Sequence, residues 1–275
     1  MSNQRISSLG SAIFRSVFVL LVFATGCHIH DPGGEAEVSR TGQIVGSQES
    51  DPATLILIDL SNSLSLKQRE RIPSIVAGII ASQGPSTTVE VDLLQTYMGN
   101  QDPLLKWKVP YAATMDETLQ NQQEAEEQED SLQEKVRTVL SWPRDRQQGA
   151  LTSCYIGSAV FADWYFSHSA GNGRHRLFWV GDLIEDCPDK KYHKYRMPQV
   201  DSARSLASLD LTLDSLRDVD IRAVMIPVGL SEPSSEVPAP AIKEYWSVLE
   251  KRIGLAAGQI RIGTPSQQGI QQMIL

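Results

Sequence analysis

The stretch that most constrains this chain is residues 54–63, Thr-Leu-Ile-Leu-Ile-Asp-Leu-Ser-Asn-Ser. Thr54 to Ile58 are apolar or β-branched and run without alternation into Asp59. So short an unbroken run reads as a strand buried on both faces, the kind found in the middle of a parallel sheet. Its carboxyl end, the edge where open α/β sheets bind ligands, delivers Asp59, Ser61 and Ser63 into one turn. Three oxygen side chains at alternate positions suit a hard divalent cation such as Mg²⁺.

Strand and helix signals then alternate. Ile72, Ile75, Val76, Ile79 and Ile80 share one face of a helix over residues 67–80. Residues 87–94 alternate and are β-branched, a second strand. Residues 104–109 predict a third, placed at the sheet edge because Lys106 and Lys108 face one side. Thr114 with Glu117 forms a capping box opening a long helix to Ser141, docked through Leu132, Val136 and Leu140. The acidic run 124–130 on that helix reads as a solvated face rather than a calcium or interaction segment.

After the polar turn Thr152-Ser153, an amphipathic helix is predicted to 168, through Ile156, Val160, Phe161 and Trp164. Residues 174–180 are a fourth strand, ending in Gly181-Asp182 and followed by Glu185 and Asp186. Leu206, Leu209, Leu213 and Leu216 predict a helix over 205–219. A strand (221–228), a helix (238–253, with Trp246, Leu249 and Ile253 inward) and a short strand (259–262) complete the chain. This alternation predicts an α/β fold, a doubly wound and mostly parallel sheet with helices on both faces.

The amino terminus obeys other rules. Arg5 and Arg15 precede an apolar run of about 11 residues, too short for the roughly 20 that span a bilayer. Residues 1–26 therefore read as a secretory signal, not a membrane span. Ala24-Thr25-Gly26-Cys27 resembles the lipobox of bacterial lipoproteins, which implies lipidation at Cys27 after cleavage. His28, rather than Asp, after the cysteine implies the outer membrane in a cell that has one. Residues 27–50, rich in glycine and serine, read as a flexible tether to a domain over 51–275. His28 and His30 read as polar tether residues, not metal ligands. The net charge of −8 and the absence of a basic patch argue against a nucleic-acid partner. Acyl chains, not charge, would hold so acidic a body at an anionic membrane.

The order of these parts resembles the von Willebrand factor type A domain over roughly residues 51–265. The quoted parts are the Asp59-x-Ser61-x-Ser63 loop, the hydroxyl turn before the fourth strand, and Asp182 just after it. The family's metal-ion-dependent adhesion site draws ligands from those three loops. The resemblance implies Mg²⁺ or Mn²⁺ held by Asp59, Ser61, Ser63, Asp182 and a middle-loop hydroxyl. That hydroxyl is Ser153, four residues before Gly157, or its neighbour Thr152. The family often has glycine after the last aspartate; here Gly181 precedes it. The fold so implied brings Cys154 and Cys187 to one edge, and a disulfide between them is expected. Zinc held by Cys154, Cys187 and His193 lacks the paired Cys-x-x-Cys spacing.

The resemblance implies a binding module that docks another envelope protein, whose carboxylate completes the metal's coordination. A metal-free scaffold is the second reading. A phosphoryl-transfer enzyme is the third: the first-strand aspartate fits one, but Ser61 stands where such enzymes resemble Asp-x-Asp, removing the obvious general acid.

Overall fold

The computed structural model describes residues 52–95, 102–111, 114–142, 152–169, 173–188, 191–197, 205–226 and 239–265, within a compact unit, Ser47–Leu275. The signal, Cys27 and the tether lie outside the described residues. Among the described residues no helix is long and apolar enough to cross a membrane.

Six strands form one sheet: β1 (Ala53–Ile58), β2 (Thr88–Leu93), β3 (Leu105–Lys108), β4 (Arg176–Gly181), β5 (Asp220–Met225) and β6 (Ile260–Gly263). Their order is β3-β2-β1-β4-β5-β6. All neighbours are parallel except β2 and β3. This is the doubly wound α/β architecture expected from the sequence, with β3 at the edge. The chain reverses its direction of travel between β1 and β4, so the crevice at their carboxyl ends is the switch point where such sheets bind ligands.

Two cores sandwich the sheet. On one face Leu55, Leu57, Leu177, Trp179, Ile221 and Ala223 pack with α4 (Tyr155–His168) and α5 (Ala239–Arg252). On the other, Ile56, Ile58, Phe178, Val180 and Val224 meet α2 (Ile72–Ala81) and α3 (Met115–Leu140). A short helix, α1 (Leu66–Arg69), precedes α2, with Ser65 and Gln68 forming a capping box. The second capping box, Thr114 with Glu117, opens α3, while Leu132 and Val136 turn inward below a solvated acidic face.

Two expectations are corrected. Residues 205–219 do not form one helix but two short 3₁₀ turns, Leu206–Ser208 and Asp214–Leu216, with irregular backbone between them. Leu206, Leu209, Leu213 and Leu216 are nonetheless all buried. Tertiary bonds displace the helix: Leu213 N donates to Ile253 O (3.1 Å), Ser215 N to Asp163 Oδ1 (2.8 Å), and the Gln259 amide to Leu216, Arg217 and Val219 carbonyls. Helical spacing thus reported burial and not backbone geometry. On α4, Trp164 points outward at 55% exposure; Tyr155, Ile156, Ala159, Ala162 and Phe166 form the buried face.

This assignment of faces predicts that Ile156→Ala costs about 2–5 kcal/mol in denaturant unfolding. Trp164→Ala should stay within about 0.5 kcal/mol of wild type. Comparable losses in the two variants would contradict it.

Candidate metal centre

Asp59 and Asp182 end adjacent parallel strands and are fully buried. Each uses one oxygen to tighten its own turn: Asp59 Oδ1 accepts Ser61 N (2.7 Å) and Asp182 Oδ1 accepts Ile184 N (2.8 Å). Their second oxygens meet hydroxyls. Ser153 Oγ (2.9 Å) and Tyr155 OH (3.1 Å) donate to Asp59 Oδ2. Ser63 Oγ donates to Asp182 Oδ2 and lies 2.6 Å from Ser61 Oγ. Five candidate ligands, Asp59, Ser61, Ser63, Ser153 and Asp182, therefore form one hydrogen-bonded cluster drawn from three loops. Thr152 stands half-buried beside Ser153.

Close approach of the two strand ends depends on Gly181. A Cβ there would sit 2.5 Å from Asp59 Cβ and collide with the Tyr155 hydroxyl. Leu183, on the other side of Asp182, adopts a positive φ of 62°. This left-handed conformation is strained for a branched residue. The chain thus places leucine in a backbone conformation glycine adopts freely. It is held there from both sides: Leu183 N donates to Tyr155 OH (3.2 Å), and Trp246 Nε1 of α5 donates to Leu183 O (2.9 Å).

Cys154 and Cys187 form the expected disulfide. It ties the loop of Ser153 to the loop that follows Asp182, and in the chain-entropy model a closure of this length contributes about 3–4 kcal/mol. The two sulfurs bond each other, which leaves no thiolate for zinc. Beside them Glu185, fully buried, accepts Ile156 N at 2.9 Å. Cys154 at the helix start makes no side-chain cap, so Glu185 supplies that role from the next loop. Sequence reasoning missed Tyr155 and Leu183, and the contacts of Glu185 and Trp246, because each acts through a partner distant in the chain.

Among the described residues only neutral groups hydrogen-bond the two carboxylates. Burial, then the charge of Asp59, pushes Asp182 up to about 8. Burial also raises Asp59, against hydrogen bonds from Ser61, Ser153 and Tyr155, and lifts Glu185 to about 8. Burial lowers Arg69 on α1, while Asp59 pulls it the other way. Two buried carboxyls with serine hydroxyls between them are an all-oxygen donor set, doubly negative once deprotonated, which fits a hard divalent cation.

Three solved structures are similar to this chain at low identity. One is a von Willebrand factor type A protein from Catenulispora acidiphila, at 12% identity and a TM-score of 0.43 over 82% of this chain and 42% of that one. A second is manganese-loaded TRAP protein from Plasmodium vivax, at 10% identity and 0.38, over 82% and 74%. A third is an aerotolerance-related membrane protein from Bacteroides fragilis, at 11% and 0.37, over 81% and 98%. The chain spans less than half the length of the first. At these scores the likenesses carry no weight alone, and the fold stands on strand order and register. No protein-family model and no curated protein matches the chain.

The raised carboxylates set a pH dependence. Their folded values exceed the unfolded value of about 4, so the folded state keeps protons that the unfolded chain releases. The stability they confer is complete below about pH 4 and is lost as pH rises towards about 8. With EDTA present, Asp182→Asn should lose less melting temperature than wild type between those limits. Parallel curves for the two proteins would contradict the assignment.

Proposed function

We propose that this chain is a lipid-anchored binding module of the bacterial cell envelope, tethered through Cys27 and docking a protein partner at a Mg²⁺ or Mn²⁺ site. One observation carries the reading: Asp59, Ser61, Ser63, Ser153 and Asp182 converge from three loops at the switch point of the sheet. These residues would hold the ion, and the bound ion would offer a coordination position to an oxygen of the partner.

The chain's own residues shape that position. Only two of the five carry full charge, so the ion would remain incompletely neutralised and attract an incoming carboxylate strongly. Tyr155 and Trp246 fix the loops, and the disulfide holds the second loop to the third. A binding role is favoured over phosphoryl transfer because Ser61 occupies the place of the second acid. The lipobox-like Ala24-Thr25-Gly26-Cys27 supports an anchor of acyl chains at a membrane, the outer one where the cell has two.

Thermal unfolding tests the site. Mg²⁺ or Mn²⁺ at about 100 times its dissociation constant should stabilise the folded chain by about 2.7 kcal/mol over EDTA. Asp59→Asn, close in shape, should abolish that gain. A metal gain that persists in Asp59→Asn, or no gain in wild type, would refute the site. For the anchor, Cys27→Ser should move the protein from the membrane to the soluble fraction.

A further inference from the structure

Beside β1, β2 turns polar side chains towards the face covered by α4. Thr88, Glu90 and Asp92 lie beside Ala53, Leu55 and Leu57 of β1. Glu90 and Asp92 are 7% and 5% exposed. Glu90 pairs with the exposed Lys106 of β3 at 3.0 Å. Among the described residues, Asp92 Oδ1 is buried without a hydrogen-bond partner. A buried carboxylate so placed is costly, because neither water nor a donor replaces its hydration. Burial, then Glu90, drives Asp92 up to about 7, and Lys106 opposes them.

A cavity of about 470 Å³ opens here, lined by Thr88, Glu90, Lys106, Trp164, Tyr165 and His168 among others. Asp92 lies one pleat beyond this lining on the same face, and the half-buried Tyr165 phenol is raised by desolvation and then by Glu90 and Asp92 together. The wall is an aromatic ladder along α4. Trp164 is stacked on Phe161 with centroids 6.0 Å apart, and His168 lies 4.8 Å from Trp164. With all three ionised, Glu90, Asp92 and Lys106 hold one negative charge in excess.

We propose that this cavity binds an alkylguanidinium group, its plane against Trp164 and its tip directed to Glu90 and Asp92. The chemistry selects that class. A guanidinium is planar, stacks on aromatic faces, donates through a fork that matches a carboxylate, and is more weakly hydrated than an ammonium. A three- or four-carbon arm passes the aromatic wall without desolvating charge. The site is separate from the metal centre: α4 contributes its amino-terminal end to one and its last turns to the other.

The test is titration of the purified full chain, followed by the indole N–H resonance of Trp164, with N-acetyl-arginine amide and N-acetyl-citrulline amide. Citrulline keeps the shape and removes the charge. The arginine derivative should bind saturably and the citrulline one about tenfold more weakly or worse. Asp92→Asn should weaken the arginine derivative about tenfold while melting no lower than wild type, and Trp164→Ala, followed by calorimetry, should weaken it severalfold. Agmatine and the tripeptide Gly-Arg-Gly distinguish sources: a response to the peptide assigns the cation to a partner's side chain, and a response to agmatine alone assigns a free small cation. Equal binding of the arginine and citrulline derivatives overturns the proposal, as does unchanged binding in a folded Asp92→Asn. Should Asp92→Asn fail to fold, unchanged calorimetric binding in Trp164→Ala overturns it.

Discussion

Two carboxylates, Asp59 and Asp182, are carried out of water to the same point by neighbouring parallel strands. Removing an ion from water costs several kcal/mol even after the protein relaxes, and two like charges add to one another's cost. The loops around the switch point are built to offset this. Backbone N–H groups of Ser61 and Ile184 hold one oxygen of each acid, hydroxyls of Ser63, Ser153 and Tyr155 hold the others, and Gly181 lets the strand ends approach. These partners are neutral dipoles, so the deficit of positive charge persists. Below about pH 8 protons retained by these acids offset it, and a divalent cation is the group we propose to replace them.

The same face of the sheet holds a second version of the problem. Glu90 and Asp92 are nearly as buried, yet among the described residues Asp92 Oδ1 has no partner like those of Asp59 and Asp182. One helix, α4, connects the two places. The residues at and just before its start, Ser153 and Tyr155, serve the metal centre, and its last turns present Trp164, Tyr165 and His168 to the cavity.

Much of this was legible in the residues. An apolar run ending in Asp-x-Ser-x-Ser marks both a central strand and its loop, because burial on two faces leaves no alternation to confuse the period. Capping boxes located the start of α3 for a local reason, since their bonds span three residues. What escaped was nonlocal. The leucines of 205–219 are spaced as on a helix, but Ile253, Asp163 and Gln259 take the backbone bonds that a helix would need. Trp164 looked inward by spacing, while smaller residues, Ala159 and Ala162, form the packed face. Tyr155 and Trp246 position the third loop from distant segments, and Leu183 occupies a glycine-like conformation that no local pattern announces.

The most direct measurement is anomalous diffraction from crystals of the full chain grown with saturating Mn²⁺. A single manganese peak among the oxygens of Asp59, Ser61, Ser63, Ser153 and Asp182 is the result expected. Well-ordered loops with no peak there, and the hydroxyl-to-carboxylate hydrogen bonds intact, would contradict the claim that this cluster is a cation site.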